Sequence, residues 1–343
     1  MKGSLAAFDT LNGREAAALI VDGTLADLLV DAPEERIRPG AIYRARVGRP
    51  MKGQGGAILE TPDGPMFLRQ AKGVSQGDTL IVQAATWAEP GKATPVAARV
   101  LFKSRFAMVT PGAEGLNISK AIRDEERRVE LRAILDAVEA PEGTGVVLRT
   151  AAEEAGDDVV ADDLAALLDL AARVMAEPRR GAPEMLLDGP SAAEIAWRDW
   201  PAPDATDDQP GSFARSGADA MIAALSDPKI ARSGGAFMFV EPTRALVAVD
   251  VNTGADTSPA AALKANLVAL SALPRALRLR GLAGQVVVDL APVAKRDRRR
   301  VEDAARGAFR ADGIETTVLG WTPLGHLELT RKRERLPLSE CLA

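Results

Sequence analysis

Two aspartates and an asparagine stand where apolar segments of the sequence end. From Leu246 to Asn252 the side chains of an extended strand alternate between two faces, so Asp250 and Asn252 share one face. The later apolar segment that begins at Val286 also ends in a carboxylate, Asp289. If a right-handed crossover joins the two strands in parallel, both carboxylates meet at the carboxyl edge of one sheet, where open α/β folds bind their ligands.

Two carboxylates and an amide oxygen at such an edge suit Mg²⁺, with waters and a phosphate oxygen completing an octahedron. An ion held in this way can activate a water molecule for attack on a phosphodiester and stabilise the charge that develops. Aspartates at the ends of strands are also common caps and turn formers. The pattern alone therefore leaves a purely structural role open.

The scarcest residues exclude most other chemistries. The chain of 343 residues contains one histidine, His326, and one cysteine, Cys341. These counts exclude an internal disulfide, a cysteine-rich zinc site, a centre with two or three histidine ligands and a pair of catalytic histidines, and they argue against a Ser-His-Asp triad. A bound metal must then have oxygen ligands, which favours a hard cation such as Mg²⁺.

Composition indicates a folded protein of two or three domains. Apolar residues make up 47% of the chain and the formal net charge is −5. Residues 151–227 carry five basic and 17 acidic residues, so the rest of the chain is basic and a nucleic-acid partner is compatible with the net charge. No stretch has the length and apolar character of a membrane span or a signal peptide, which predicts a cytoplasmic location without membrane contact.

The first hundred residues read as β-structure. Asn12-Gly13 and Asp22-Gly23 lie between apolar runs and predict two hairpins. Five short strand patterns between Ala41 and Val100, with interspersed Arg and Lys, predict an OB-type barrel. Any other five-stranded barrel would fit the same pattern.

The remainder alternates helices and strands. Helices are predicted over 121–138, 161–176, 259–279 (kinked at Pro274) and 298–311. Residues 201–211 are predicted to be a linker. The hairpin at 237–251 and the strands at 286–289 and 315–319, separated by helices, predict parallel pairing with crossovers.

The motifs around these residues resemble the catalytic core of the ribonuclease E/G family, and the similarity extends weakly through almost the whole chain. The blocks that carry the resemblance are Ala248-Val-Asp-Val-Asn-Thr253, Asn266-Leu267, Arg278-Leu-Arg280, Gly284-Gln-Val-Val-Val-Asp289 and Gly325-His-Leu-Glu-Leu-Thr-Arg-Lys-Arg333. The resemblance implies a Mg²⁺-dependent endoribonuclease that cuts single-stranded, A/U-rich RNA and leaves 5′-phosphate and 3′-hydroxyl ends. Processing of rRNA, or processing and decay of mRNA, is the implied role.

Several residues of this sequence match positions that have known roles in the family. Asp250 and Asp289 match the two aspartates that hold Mg²⁺, and Asn252 matches the asparagine that supports them. In Gly145-Val-Val-Leu-Arg-Thr150, the residues Arg149 and Thr150 match a 5′-monophosphate sensor, since a guanidinium and a hydroxyl suit phosphate. The RNA-binding positions implied by the resemblance or by the basic run after Asp289 are Phe67, Lys92, Lys295, Arg296 and Arg298. Arg331-Lys332-Arg333 is predicted to form a second basic patch. The resemblance gives the position of His326 no chemical role, so this histidine is interpreted as incidental.

The expected fold is α/β with an inserted all-β OB-type barrel, and with RNase H-like and DNase I-like subdomains around a mixed sheet. The expected segments are an RNase H-like subdomain at 1–36 and 185–235, the barrel at 37–102, a 5′-sensor region at 103–184 and a DNase I-like catalytic subdomain at 236–343. The sequence shows no Cys-Pro-x-Cys zinc link, dimerisation domain or C-terminal scaffold, so no zinc-linked tetramer is expected. The sequence leaves open whether the protein forms a weak homo-oligomer.

Two departures leave an alternative open. The segment between Asn252 and Asn266 is several residues shorter than is typical of the family, and Ile58 occupies a position where the family commonly has an aromatic residue. A catalytically weak or inactive RNA-binding protein on the same scaffold is therefore the alternative. A phosphohydrolase acting on small nucleotides is a third hypothesis, which the barrel and the basic segments disfavour.

Overall fold

The computed structural model describes residues 2–50, 55–178 and 180–343. They form two compact units. The first contains Met1–Pro33 and Pro203–Ala343, and the second contains Glu34–Ala202. The chain therefore starts the first unit, builds the whole of the second and then returns to complete the first.

The first unit begins with a three-stranded antiparallel meander, whose strands are β1 (Ser4–Leu11), β2 (Arg14–Val21) and β3 (Thr24–Val30). The turn residues Asn12, Gly13, Asp22 and Gly23 all have positive φ, between 48° and 78°. Tight hairpin turns require this backbone conformation, and Asn-Gly and Asp-Gly adopt it readily. Both predicted hairpins are confirmed.

The second unit contains a closed barrel of five strands: β4 (Ile42–Pro50), β5 (Ala57–Glu60), β6 (Met66–Leu68), β7 (Thr79–Ala84) and β8 (Thr94–Ala97). Hydrogen bonding follows the order β4-β5-β6-β8-β7 and returns to β4, and only β6 and β8 run parallel. Buried side chains such as Tyr43, Leu59, Met66 and Val82 fill the interior. The predicted five-stranded barrel is confirmed.

The rest of the second unit is a four-stranded sheet covered by helices. Its strands are β9 (Phe102–Lys103), β10 (Ala107–Pro111), β11 (Leu116–Ile118) and β12 (Thr144–Leu148), and its helices are α1 (Glu125–Ala137) and α2 (Asp157–Ala176). Strand β13 (Glu184–Leu187) pairs with β4, and helix α3 (Ala192–Asp199) follows it. Helix α2 begins earlier than predicted, because Asp157 and Asp158 form its acidic first turn.

The returning chain adds a strand to the meander. Strand β14 (Ala205–Asp207) pairs in parallel with β1, where the sequence predicts a linker. A three-residue strand that pairs across such a long sequence separation has no local signal, which explains the difference. Two short helices, α4 (Ser212–Ser216) and α5 (Ala218–Ala223), follow, and Phe213 and Ile222 on them join the meander's core.

The last part of the first unit is a mixed six-stranded sheet in the order β15-β16-β17-β18-β20-β19. Its strands are β15 (Lys229–Ala231), β16 (Phe237–Pro242), β17 (Val247–Asn252), β18 (Gly284–Asp289), β19 (Thr316–Trp321) and β20 (Leu327–Arg331). Helices α6 (Pro259–Leu279) and α7 (Arg298–Ala311) pack on it, and α8 (Leu338–Cys341) follows the last strand. Helix α6 continues through Pro274 as one helix.

Parallel pairing is confirmed for β17 and β18 and is wrong for β19. Strand β19 forms an antiparallel hairpin with β20, and β20 in turn runs antiparallel to β18. The segment from Leu327 to Arg331 has the strict alternation of buried and exposed residues of a strand, and it occupies the place beside β18. The helix predicted over 298–311 is confirmed with the same bounds.

Candidate active site

The two predicted metal-binding carboxylates lie side by side. Strands β17 and β18 are parallel neighbours whose register pairs Asp250 directly with Asp289. Neighbouring strands are about 4.8 Å apart, and residues opposite each other in register share a face. Both aspartates are exposed, whereas Val249, Val251 and Val288 beside them are buried. The valines anchor the strands in the core and leave the carboxylates at the open edge of the sheet.

Two asparagines organise the same edge. The side-chain amide of Asn252 donates a hydrogen bond to Oδ2 of Asp250 at 2.8 Å, as expected for residues two apart on one face. Asn266 on α6 is fully buried, and its amide both donates to and accepts from the backbone of Ala291, at 2.9 and 3.0 Å. Asn266 therefore fixes the chain two residues beyond Asp289. A buried polar residue within an apolar helical face was its signal in the sequence.

His326, interpreted from the sequence as incidental, lies at this edge. Its Nδ1 is 3.2 Å from Oδ1 of Asp289. The register of β18 and β20 ends at Val288 and Leu327, so Asp289 and His326 occupy the next opposed position. Pairing of β20 with β18 was not predicted, and therefore the sequence could not place the histidine beside the carboxylate.

The donor set fits a hard divalent cation. Asp250 and Asp289 offer carboxylate oxygens on one face, and Mg²⁺ is usually held by one or two carboxylates together with waters and substrate phosphate. Among residues 2–50, 55–178 and 180–343, no group of three or more His, Cys, Asp and Glu side chains has the arrangement of a metal cage. The edge thus matches an open, substrate-completed site rather than a closed structural one.

The basic run after β18 divides into exposed and packed members. Lys295 and Arg296 are exposed, and 89% of the Arg296 side chain is accessible. Arg298 instead lies over the ring of Trp321, 4.7 Å from guanidinium carbon to ring centroid, and its buried Nε has no hydrogen-bond partner among the residues that the structure describes. Lys295 and Arg296 have the exposure that phosphate contact requires, whereas Arg298 is committed in part to Trp321.

Arg331 was predicted to belong to a second basic patch, and that prediction is wrong. Its side chain is 1% exposed and pairs with Asp312 at 2.5 Å. Burial lowers the pKa of Arg331 to about 10. Buried and exposed residues alternate along β20, and Arg331 is one of the buried ones. Its burial was not predicted, because β20 was not predicted as a strand.

In the second unit, Arg149 lies directly after β12 and has several protein partners. Its Nη1 donates to the carbonyls of Ser104, Arg105 and Arg198 at 2.5–3.1 Å, and its Nη2 pairs with Asp199 at 2.8 Å. Thr150 is exposed, and its hydroxyl is 3.1 Å from that of Ser119.

Asp199 is the centre of this cluster. Besides Arg149 it pairs with Lys103 at 2.7 Å and with Arg198 at 2.8 Å. Although burial opposes ionisation, the hydrogen bonds and charges of these cations hold the pKa of Asp199 well below its ordinary value. Lys103, Arg198 and Asp199 were not predicted, because they meet Arg149 from two separate segments, β9 and the end of α3.

Phe67 lies on the outer face of the barrel. Its neighbours Met66 and Leu68 are buried, and Phe67 is opposite Ile58 on β5 and Pro95 on β8. Its ring covers Gly56, where a Cβ atom would come within 2.6 Å of the ring. Lys92 precedes β8, is 67% exposed and pairs with Glu89 at 2.8 Å. Both residues are thus accessible on the barrel surface.

Comparison with known proteins identifies the family of the chain. The profile of the Ribonuclease E/G family matches residues 102–209 and 204–334, which is more than half of the chain. The chain belongs to the ribonuclease E/G family. This membership makes it an endoribonuclease by enzyme class, with RNA as its substrate, and it confirms the resemblance inferred from the motifs.

Individual ribonucleases match almost the entire chain. Ribonuclease G of Escherichia coli K12 is 26% identical, with 95% of this chain and 79% of the relative covered. Ribonuclease G of Haemophilus influenzae is 24% identical, with coverage of 95% and 78%. Ribonuclease E of a Nostoc species is 25% identical over 93% of this chain and 54% of its own length.

Within the described residues, no helix has the length and apolar character needed to span a membrane.

Proposed function

We propose that this ribonuclease E/G family member is a Mg²⁺-dependent endoribonuclease that cleaves single-stranded, A/U-rich RNA to 5′-phosphate and 3′-hydroxyl ends. The observation that carries the proposal is the side-by-side register of Asp250 and Asp289 at the open edge of a mixed sheet. Processing of rRNA and processing or decay of mRNA are the roles that such cleavage would serve.

The proposed chemistry divides between the residues of this edge. Asp250 and Asp289 would hold the ion, and Asn252 orients Asp250 through its amide hydrogen bond. When bound, Mg²⁺ would lower the pKa of a water molecule and offset negative charge at the scissile phosphate. Lys295 and Arg296 would attract the RNA backbone, because exposed cations near the site neutralise phosphates.

The observed elements also support the subdomains that the resemblance implies. The meander with β14 and the two short helices supports an RNase H-like subdomain built from residues 1–36 and 185–235. The six-stranded mixed sheet with α6 and α7 supports a DNase I-like catalytic subdomain at 236–343. The barrel's strand order, with one parallel pair between its third and fifth strands, supports an OB-type module at 37–102 that binds RNA through Phe67 and Lys92.

Sensing of a 5′-monophosphate is assigned to Arg149 and Thr150, in the proposed sensor region at 103–184. Thr150 offers an exposed hydroxyl, and Lys103, Arg149 and Arg198 supply three cations against one carboxylate, Asp199. A bound phosphate would compete with Asp199 for Arg149. The guanidinium is already oriented by three carbonyls, so little side-chain entropy would be lost on binding.

The catalytic proposal predicts that both aspartates are indispensable. A 5′-monophosphorylated A/U-rich oligomer is incubated with Mg²⁺ and the wild type, Asp250→Asn or Asp289→Asn, and products are separated by gel electrophoresis. We expect each substitution to lower the cleavage rate by about a hundredfold or more, because it removes a charged oxygen ligand of the ion. Asp303→Asn, on the exposed face of α7, is the control and should cleave at the wild-type rate.

Cleavage by either aspartate variant at the wild-type rate would overturn the proposal. RNA binding without cleavage by the wild type would favour the non-catalytic alternative. The same assay with a 5′-hydroxyl oligomer tests the sensor, since Arg149→Ala should slow cleavage of the monophosphorylated RNA only.

A further inference from the structure

We propose that His326 is a positioning residue whose imidazole holds Asp289 in the orientation that metal binding requires. This inference rests on the proposed function of the Asp250–Asp289 edge. It is carried by the 3.2 Å separation between Nδ1 of His326 and Oδ1 of Asp289. An imidazole Nδ1–H donates to a carboxylate oxygen at such a distance.

The contact follows from the backbone. Asp250 is paired with Asp289 across β17 and β18, and continuing the register of β18 and β20 by one residue places His326, which directly precedes β20, opposite Asp289. Side chains opposite each other in neighbouring strands share a face and lie within reach of one another. The histidine is therefore delivered to the carboxylate by strand register and does not depend on a long, freely rotating side chain.

The turn that precedes β20 fixes the histidine backbone. The carbonyl of His326 accepts a hydrogen bond from the Thr322 backbone N–H at 2.8 Å, and the His326 backbone N–H donates to Oγ1 of Thr322 at 3.1 Å. Gly325 donates to the Thr322 carbonyl at 3.0 Å. The His326 side chain is 31% exposed, so most of its surface is covered by protein.

The arrangement gives each carboxylate one side-chain donor. Asn252 donates to Oδ2 of Asp250, and His326 approaches Oδ1 of Asp289. Within the described part of the chain, the second oxygen of each carboxylate has no hydrogen bond from protein, so it stays open to a cation. Hydrogen bonds of this kind to metal-binding carboxylates orient the ligands and strengthen binding of the ion.

Binding of Mn²⁺ alone, followed by the electron paramagnetic resonance signal of the free ion and without RNA, tests this role independently of cleavage. The proteins compared are the wild type, His326→Leu, His326→Asn and Asp289→Asn. Asparagine is chosen because its side-chain N–H₂ lies close to the position of imidazole Nδ1 and can donate the same bond, whereas leucine cannot. Circular dichroism and thermal unfolding check that each variant folds, and His326→Ala replaces the leucine variant if that one does not.

We expect His326→Leu to weaken Mn²⁺ binding by about tenfold to a hundredfold, and His326→Asn to stay within about threefold of the wild type. Unchanged affinity in His326→Leu would overturn the inference. Equal losses in His326→Leu and His326→Asn would also overturn it, because the ring would then act by something other than this hydrogen bond. If the wild type binds no Mn²⁺, or Asp289→Asn binds it equally well, the proposed metal site itself has failed.

Discussion

Phe67 is the aromatic side chain through which the barrel is proposed to bind RNA bases. It lies on the outer face with Ile58 and Pro95, so the surface around it is apolar and continuous across three strands. Aromatic rings on such a surface bind single-stranded nucleic acid by stacking on bases, with little dependence on sequence. Because the neighbouring Ile58 cannot stack, Phe67 is expected to contribute most of the base contact there.

Substitution of Phe67 by alanine should therefore weaken RNA binding without unfolding the barrel. Binding of a fluorescent single-stranded oligomer is measured by anisotropy in an Asp289→Asn background, which prevents cleavage. We expect affinity to fall about fivefold to a hundredfold, as stacking on one base contributes about 1–3 kcal/mol. Val129→Ala, which truncates a 70% exposed side chain on α1, serves as the control. Unchanged affinity in Phe67→Ala would show that its ring only packs against Gly56.

At the scale of elements, one carboxylate connects a helix end to two strands. Asp199 at the end of α3 pairs with Lys103 on β9 and with Arg149 after β12. Its pKa in the folded state lies below the ordinary value of 3.8. Because the folded pKa is lowered, the stabilisation is present above about pH 4 and is lost as the pH falls through the folded pKa.

Asp199→Asn should remove this dependence. We expect the variant to be about 2 kcal/mol less stable than the wild type at pH 7, and to lose less stability than the wild type between pH 5 and pH 2. The free energy of unfolding is measured by urea titration at each pH. Asp169→Asn is the matched control, because Asp169 pairs with Arg173 but is 66% exposed and should contribute little. Parallel pH profiles for wild type and Asp199→Asn would contradict the prediction.

The elements also show what the sequence can predict. The hairpins at Asn12-Gly13 and Asp22-Gly23 and the helix over 298–311 depend on residues adjacent in sequence or one helical turn apart, and all are confirmed. Strand β14 and the position of β20 depend on partners far along the chain, so propensity could not supply them.

The same distinction applies to the site. Asp250 and Asn252 share a face through strand alternation, and one crossover brings Asp289 beside them, so the sequence could place all three. His326 and Asp199 reach their partners only through strand and helix positions that no local pattern encodes.

At the scale of the molecule, a buried ionic network connects distant parts of the first unit. Asp312, before β19, pairs with Arg331 on β20 and with Arg278 on α6. Arg278 also pairs with Asp27 on β3 at 3.2 Å, and Asp27 pairs with Arg335 at 2.9 Å. The network thus joins the meander to the mixed sheet that carries Asp250 and Asp289. Arg278 belongs to one of the motifs that resemble the family, and in the structure it pairs with two carboxylates, Asp27 and Asp312.

Removing the central charge should destabilise the first unit strongly. Asp312→Asn leaves Arg331, whose side chain is 1% exposed, without its carboxylate partner, and we expect a loss of about 3–5 kcal/mol. Asp303→Asn, in which an exposed pair on α7 is broken, should change the free energy of unfolding by less than about 1 kcal/mol. The free energy of unfolding of both variants is measured by urea titration. A loss in Asp312→Asn as small as that expected for Asp303→Asn would show that the network contributes little to stability.

The discontinuous first unit has a consequence for the order in which the molecule is made. The ribosome synthesises Met1–Pro33, then all of Glu34–Ala202, and only afterwards the strand β14 that pairs with β1. Domains generally fold as units during synthesis, so the barrel of the second unit can close before the meander has received its fourth strand. Asp250 and Asp289 come later still in the sequence, so the sheet edge that carries them can form only after the barrel and the meander have been synthesised.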